Sequence, residues 1–429
     1  MKITFISFSV LEKGYASALK TLVFPIISAL TPKDVKINFI DERVEDLPKT
    51  IDSDIIVMTV GTMTSRKARA FALKHKDKII AVGGPHPTSL PEECLEYADT
   101  IFIGDAEGTW PQFIEDAKNG NIKRIYKSSH EVLPIKPDLN FEYFKGKKYS
   151  FVGIAQFARG CKYNCEFCFV KVLYPGKVKT KNIDDFVEEV KAMPEKIIFL
   201  IDDNLFTDEE TTLLLLEKIK PLKKMWHCQV SIDVAQNDKI LKAMKDAGFA
   251  MIMMGFEATD MDTLKQMNKG ANLKLKSYDE AIKNVYKHGL MITAGFVIGY
   301  DNDTPQTIRN TFDFAMKHHF TKAFFTMLQP MPGTKLYDRL LEEGRVTPKW
   351  WLDNSYQYGE CAFDPKNMTR EELSVIFGKQ LKEYYTFSNI WKRFLKNSQY
   401  LPFTRSILFL GEALLYKKHA NLNIKLDLE

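Results

Sequence analysis

Short apolar runs alternate with amphipathic stretches through much of this chain. Near the N-terminus the runs are Ile3–Phe8, Val35–Phe39, Ile55–Val60, Ile79–Val82 and Thr100–Ile103. Rich in Ile and Val and bounded by turn residues, they read as buried strands. Helical periodicity covers Tyr15–Leu30 and Ser65–His75. This alternation predicts an open, parallel, doubly wound sheet of Rossmann type over residues 1–130. Ligands of such sheets sit beyond the carboxyl ends of the strands.

After a linker over 131–150, a second series follows: Phe151–Phe157, Lys196–Ile201, His227–Ile232, Met251–Phe256, Met291–Ile298 and Ala323–Leu328. Helical patterns at Asp184–Ala192, Thr207–Ile219, Asp238–Ala247, Asp260–Met267, Tyr278–His288 and Pro305–His318 separate these runs. Six strand–helix pairs predict a partial (β/α)6 barrel over 151–335, open on one side to a large substrate. Residues 336–429 read as a helical region, with helices at Leu336–Glu343 and Arg370–Asn397 and an apolar stretch at Phe403–Tyr416 before Lys417-Lys418-His419. That last stretch reads as a helix docked on the barrel. An amphipathic helix lying on a membrane is the alternative.

Composition narrows the class. The chain has 429 residues, 45% hydrophobic and 27% charged, with a formal net charge of +5. A balance so near neutrality gives no basis for nucleic-acid binding. No apolar run reaches membrane-spanning length. The segment Met1–Val10 alternates and runs into charged residues without a small-residue cleavage site, so a first strand is expected rather than a leader. The expected location is cytoplasmic, with peripheral membrane contact as a secondary expectation.

The chemistry concentrates in one place. Of six cysteines, three stand as CxxxCxxC at Cys161, Cys165 and Cys168, directly after the strand Phe151–Phe157. Structural zinc usually takes four ligands, often as two close pairs, and Cys94, Cys228 and Cys361 are isolated. Three thiolates suit an iron–sulfur cubane with one iron left open to bind a small molecule. A ferredoxin-type electron-transfer module would need a fourth cysteine, so a non-catalytic iron–sulfur binding module ranks below an enzyme.

The segment Gly160-Cys161-Lys162-Tyr163-Asn164-Cys165-Glu166-Phe167-Cys168 resembles the signature of the radical S-adenosylmethionine (SAM) superfamily, with Phe167 at its aromatic position. The resemblance implies a 4Fe–4S cluster on the three cysteines, SAM bound at the open iron, and reductive cleavage to a 5′-deoxyadenosyl radical. It extends through Gly255-Phe256-Glu257, Met267-Asn268-Lys269-Gly270, Gly295–Gly299 and Gln329-Pro330-Met331-Pro332-Gly333-Thr334-Lys335-Leu336-Tyr337. By the same resemblance Asp203, in Asp202-Asp203-Asn204, lies near the SAM methionine group and Gly299 near its adenine. Gln229 and Ser231 share one strand face and either meet the ligand or pair in the core. Glu257, a carboxylate at a buried strand end, needs a partner, and the SAM ammonium or ribose would serve.

In the N-terminal part, Gly83-Gly84-Pro85-His86-Pro87-Thr88 and Gly104-Asp105-Ala106-Glu107-Gly108 resemble the cobalamin-binding domain that precedes one large class of these enzymes, which includes hopanoid methylases and the anaerobic magnesium-protoporphyrin cyclase. Neither is a GxGxxG dinucleotide fingerprint. The implied cobalamin contacts are Thr62, Gly83, Gly84, His86, Thr88, Gly104 and Glu107. Where that domain carries DxHxxG this chain reads Ser9-Val10-Leu11-Glu12-Lys13-Gly14-Tyr15, without the histidine. The expected activity is cobalamin-dependent methyl transfer to an unactivated carbon. A cobalamin-free radical oxidoreductase or cyclase is the alternative. A small-molecule, lipid or peptidic substrate and an electron donor such as ferredoxin or flavodoxin are the expected partners.

Overall fold

The computed structural model describes residues 1–10, 18–128, 141–176, 178–397 and 403–421. Strands Lys2–Ser7 (β1), Lys36–Asp41 (β2), Ile55–Thr59 (β3), Ile79–Gly83 (β4), Thr100–Ile103 (β5) and Ile125–Lys127 (β6) form one parallel sheet in the order β2-β1-β3-β4-β5-β6. Successive side chains face opposite sides. Ile3, Phe5, Val57, Ala81 and Phe102 therefore pack with Phe24, Trp110 and Phe113 on one face. Ile6, Ile56, Met58, Val82 and Ile101 pack with Ala68, Ala72 and Cys94 on the other. The strand order reverses between β1 and β3, the place where such sheets bind ligands.

Three details depart from the sequence reading. β6 was not foreseen, because one buried residue, Tyr126, between two exposed ones leaves no periodicity to detect. The helix expected over Tyr15–Leu30 begins at Val23, since Ala18 bridges Tyr149 and its carbonyl accepts from the Ser150 amide at 2.8 Å. Residues 11–17, with most of the segment lacking DxHxxG, lie outside the described residues. Part of the expected linker is not free. Phe144 is buried in the N-terminal core, and the Tyr149 hydroxyl donates to Asp41 at 2.8 Å.

The second sheet starts at Gly153–Ala155 (β7). A two-residue ribbon, Ala158–Arg159 (β8) with Lys179–Thr180 (β9), brackets the cysteine loop. The remaining strands are Ile197–Leu200 (β10), Met225–Val230 (β11), Phe249–Glu257 (β12), Met291–Ile298 (β13) and Lys322–Met327 (β14). Their order, β14-β13-β12-β11-β10-β7, is wholly parallel and leaves β7 and β14 unpaired with each other. This is an open six-stranded barrel, as expected.

The C-terminal helices close the β14 edge. An exposed strand edge presents unpaired backbone groups. Here the Tyr385 hydroxyl accepts from the Ala323 amide at 3.2 Å and donates to its carbonyl at 2.9 Å. The single helix expected over Arg370–Asn397 is therefore two, Arg370–Tyr384 and Phe387–Asn397. Thr386 caps the second, its Oγ1 accepting from the Asn389 amide at 3.4 Å. The final helix, Phe403–Asn421, docks through fully buried Phe409 and Ala413 and a Glu412–Lys322 pair at 3.0 Å.

Candidate active site

The cysteine loop leaves β8 through Gly160, whose φ of +88° is open to glycine and strained for other residues. The Gly160 amide donates to Asp203 at 2.7 Å, and the Phe157 amide to Asp202 at 2.7 Å. Two carboxylates at the end of β10 thus fix where the loop begins. Burial pushes the Asp202 carboxyl up to about 7, against its two backbone amides. Asn204 completes the segment: its amide reaches Cys161 Sγ at 3.7 Å and Ser231 Oγ at 3.1 Å.

All three cysteines are free thiols, with Cys165 buried and Cys161 and Cys168 half-buried. Burial pushes the Cys168 thiol up to about 12, while the Lys269 ammonium acts in the opposite direction. Among the described residues no group of three His, Cys, Asp or Glu converges on a point that would hold one metal ion. A cubane spreads its ligands over separate corners, so three free thiols on one loop fit it.

Between the cysteines, Glu166 is clamped. Its carboxylate accepts from Arg339 Nε at 2.7 Å and from the Tyr300 hydroxyl at 2.8 Å, and its own amide donates to the Met267 carbonyl at 2.9 Å. Arg339 also binds Asp301, which Arg345 and Lys366 hold as well. On the other side the Tyr163 hydroxyl donates to Asp233 at 2.8 Å.

Glu257 ends β12 at φ +65°, beside a register shift against β13. Its carboxylate meets half-buried Lys269 at 2.5 Å, and Lys269 lies 5.7 Å from the centre of the Phe167 ring. The partner that a buried carboxylate requires is thus a lysine of the chain itself, standing beside the cysteine loop. The signal for this partner in the sequence is a lysine within the otherwise turn-like Asn268-Lys269-Gly270, to which pattern alone gives no role.

Gln229 and Ser231 lie on the half-exposed side of β11, with Gln229 donating to the Asp203 carbonyl at 3.4 Å. The same face continues across the register through Met253, Gly255, Gly295 and Phe324. Gly299 directly follows the carboxyl end of β13. At φ +111°, an added Cβ would lie 3.2 Å from Leu373 and 3.3 Å from Phe363, so this glycine admits the C-terminal region.

At the carboxyl ends of the N-terminal sheet, three named side chains turn inward. His86 is fully buried, 2.9 Å from Glu93 and 3.4 Å from Thr62, which is itself buried. Glu107 is buried and paired with Arg159 at 2.6 Å. Gly83, Gly84, Thr88 and Gly104 remain half-exposed. Thr88 ties them together, accepting from the Gly104 amide at 3.0 Å and donating to the Gly84 carbonyl at 2.8 Å. The positive φ of Gly84 brings it against the Val60 backbone, where a Cβ would meet Val60 N and O at 3.0 Å.

These strand ends abut the cysteine loop. Arg159, two residues before Cys161, binds Asp105 at 3.0 Å as well as Glu107, and the Tyr174 hydroxyl reaches Asp105 at 3.2 Å. Arg159 escaped the sequence reading. Its signal was an arginine sandwiched between a buried strand and a cluster loop.

An open parallel barrel with a three-thiol loop after its first strand defines the class. Residues 156–315 match the family model described as Radical SAM superfamily, so the chain carries a radical SAM domain, a domain that uses a 4Fe–4S cluster and SAM. Among curated proteins it is 28% identical over 384 residues to bacteriochlorophyllide d C-12(1)-methyltransferase of Chlorobaculum tepidum, covering 86% of this chain and 83% of that one. It is 24% identical to hopanoid C-2 methylase of Rhodopseudomonas palustris, covering 75% of this chain and 64% of that one. Among solved structures, the radical SAM methyltransferase TsrM from Kitasatospora setae, with cobalamin and its 4Fe–4S cluster bound, shares the fold over 98% of this chain and 99% of that one, at a TM-score of 0.68 and 12% identity.

Proposed function

We propose that this protein is a cobalamin-dependent radical SAM methyltransferase that methylates an unactivated carbon of a large, mainly apolar substrate. The observation that carries the reading is the junction at Arg159, which joins the candidate cobalamin-side strand end at Asp105 and Glu107 to the cysteine loop. The names of the relatives and the fold shared with cobalamin-bound TsrM support the same reading.

Cys161, Cys165 and Cys168 would hold the cluster. The half-exposed backbone at Gly83, Gly84 and Gly104, with Thr88, would hold cobalamin. When bound, the cluster supplies the electron that cleaves SAM, and cobalamin carries the methyl group. The chain's own residues position and exclude. Asp203 and Glu166 fix the two sides of the cysteine loop. The Glu257–Lys269 pair places one carboxylate and one ammonium beside it, able to meet the amino and carboxylate groups of SAM. Met253, Gly255, Gly295 and Phe324 give the barrel's inner face an apolar stretch beside Gln229 and Ser231, which suits a hydrophobic substrate and helps keep water from a radical. His86 is fully buried and engaged with Glu93, so its imidazole would stand behind the residues that would hold cobalamin and not among them.

The test is anaerobic reconstitution with cobalamin supplied. Wild-type protein should retain stoichiometric corrinoid after gel filtration and form deoxyadenosine with SAM and dithionite. Cys161→Ala should form none. Protein that cleaves SAM but retains no corrinoid would move the assignment to a cobalamin-free oxidoreductase or cyclase.

A further inference from the structure

We propose that the C-terminal helices form a surface that docks this protein on, and not through, a bilayer bearing anionic headgroups. On the helix Phe387–Asn397, Phe387, Trp391 and Leu395 recur every fourth residue and are 66%, 53% and 49% exposed. Residues at that spacing share one helix face. Lys392 and Lys396, each one residue further on, are exposed beside that stripe. The last helix adds Ile407 and Leu414, 56% and 42% exposed. Lys417 of that helix lies 4.0 Å from the centre of the Phe387 ring, so the two helices present adjoining faces.

Charge is segregated to the same place. Residues 387–421 hold six of the chain's 60 basic residues and one of its 55 acidic ones, leaving 54 of each sign elsewhere. The whole net charge of +5 is therefore carried by this segment, although one of its six basic residues, Arg393, is buried against Tyr384 and does not face the surface. Its one acid, Glu412, is spent on Lys322.

The chemistry selects lipid over protein. Lysine is depleted at the centre of protein interfaces, where its charge would be stripped of water. At a bilayer surface a lysine keeps its ammonium among headgroups while Trp, Phe and Leu sink beside it. No helix among the described residues is long and apolar enough to cross a membrane, so the helices would lie in the interface plane.

Trp391 offers a direct probe, since Trp110, Trp226, Trp350 and Trp351, the other tryptophans of the five, are buried. The full chain should cosediment with vesicles of phosphatidylglycerol and phosphatidylcholine, weakly with phosphatidylcholine alone, and less as salt rises. Trp391 emission should shift to the blue on binding. Lys392→Gln with Lys396→Gln should weaken binding about 30-fold, and Trp391→Ser should remove the blue shift. Both variants alter exposed positions, and each should keep the wild-type unfolding midpoint. Wild-type protein that ignores anionic vesicles, or binding that both variants leave intact, would overturn the proposal. So would self-association that Trp391→Ser abolishes, which would assign the face to a second copy of the chain. None of these measurements needs SAM or cobalamin, so their outcome is separate from that of the methyl-transfer reading.

Discussion

At the scale of single residues, the site is governed by where charges are buried and what answers them. Glu166 sits between two cysteines and is answered by Arg339 and Tyr300. Glu166→Ala leaves both donors short of an acceptor, which should cost about 2 kcal/mol in urea unfolding and speed iron loss to a chelator. An unchanged midpoint and unchanged iron release would remove its role as a clamp. Asp301 carries a pH signature. Burial alone would push its carboxyl up, but bonds from Arg345, Lys366 and Gln266 and the nearby Arg339 outweigh burial and hold it at about 2. An unfolded aspartate titrates near about 4. The charged form therefore stabilises the fold above about pH 4, and that contribution is lost as pH falls toward about 2. Asp301→Asn should lower stability by about 2 kcal/mol near neutral pH and by clearly less at about pH 3, read from urea unfolding across a pH series.

At the scale of elements, β12 is the informative strand. Its register shifts against β13 between Gly255 and Glu257, and the shift turns the Glu257 carboxylate back over Gly255. A Cβ on Gly255 would fall 2.1 Å from Glu257 Oε1 and 3.0 Å from Lys269 Nζ. The sequence reading expected a lone carboxylate at a strand end. The bulge explains why glycine must precede it. Gly255→Ala should displace the Glu257–Lys269 pair and weaken SAM binding roughly ten-fold by equilibrium dialysis, about 1.4 kcal/mol, at unchanged iron content. Parallel loss of iron and SAM would show instead that the strand as a whole had failed. The break near Thr386 has a comparable origin. Periodicity over Arg370–Asn397 is continuous, but the Tyr385 hydroxyl is committed to the Ala323 backbone, and the helix restarts beyond it.

At the scale of the whole molecule, two domains meet where the chemistry must happen. Arg159 belongs to the barrel, and its partners Asp105 and Glu107 belong to the N-terminal sheet. The carboxylates keep the buried guanidinium charged despite its burial. Removing it should leave each half of the site intact and loosen their relation. We expect Arg159→Ala to keep its cluster and form deoxyadenosine near the wild-type rate. Methylated product per deoxyadenosine should fall roughly ten-fold or more, because a small misplacement of reacting partners is costly. Arg159→Lys, which keeps the charge but not the fork, should recover part of that coupling. Equal loss of both products would assign Arg159 to cluster stability. Faster amide exchange at Gly104–Thr109 in Arg159→Ala would locate the loosening at the junction.

The sequence by itself determined both sheets but for β6, together with the open barrel and the cysteine loop. Strand and helix periods are local, and ligand spacing within a loop is set by the chain, so one-dimensional pattern suffices for them. It also supplied Glu257 and the absence of a DxHxxG histidine. Only the tertiary structure decided partnership. That Gly299 makes room for Leu373 and that Arg159 bridges two domains are contacts between residues far apart in the chain. That Glu257 is answered by Lys269 and that His86 turns inward to Glu93 depend on how turns fold the chain back on itself over 12 and 7 residues. Periodicity assigns a side chain to a face, but it carries no information about which other face is packed there. For buried charges, that second face settles what the residue can do.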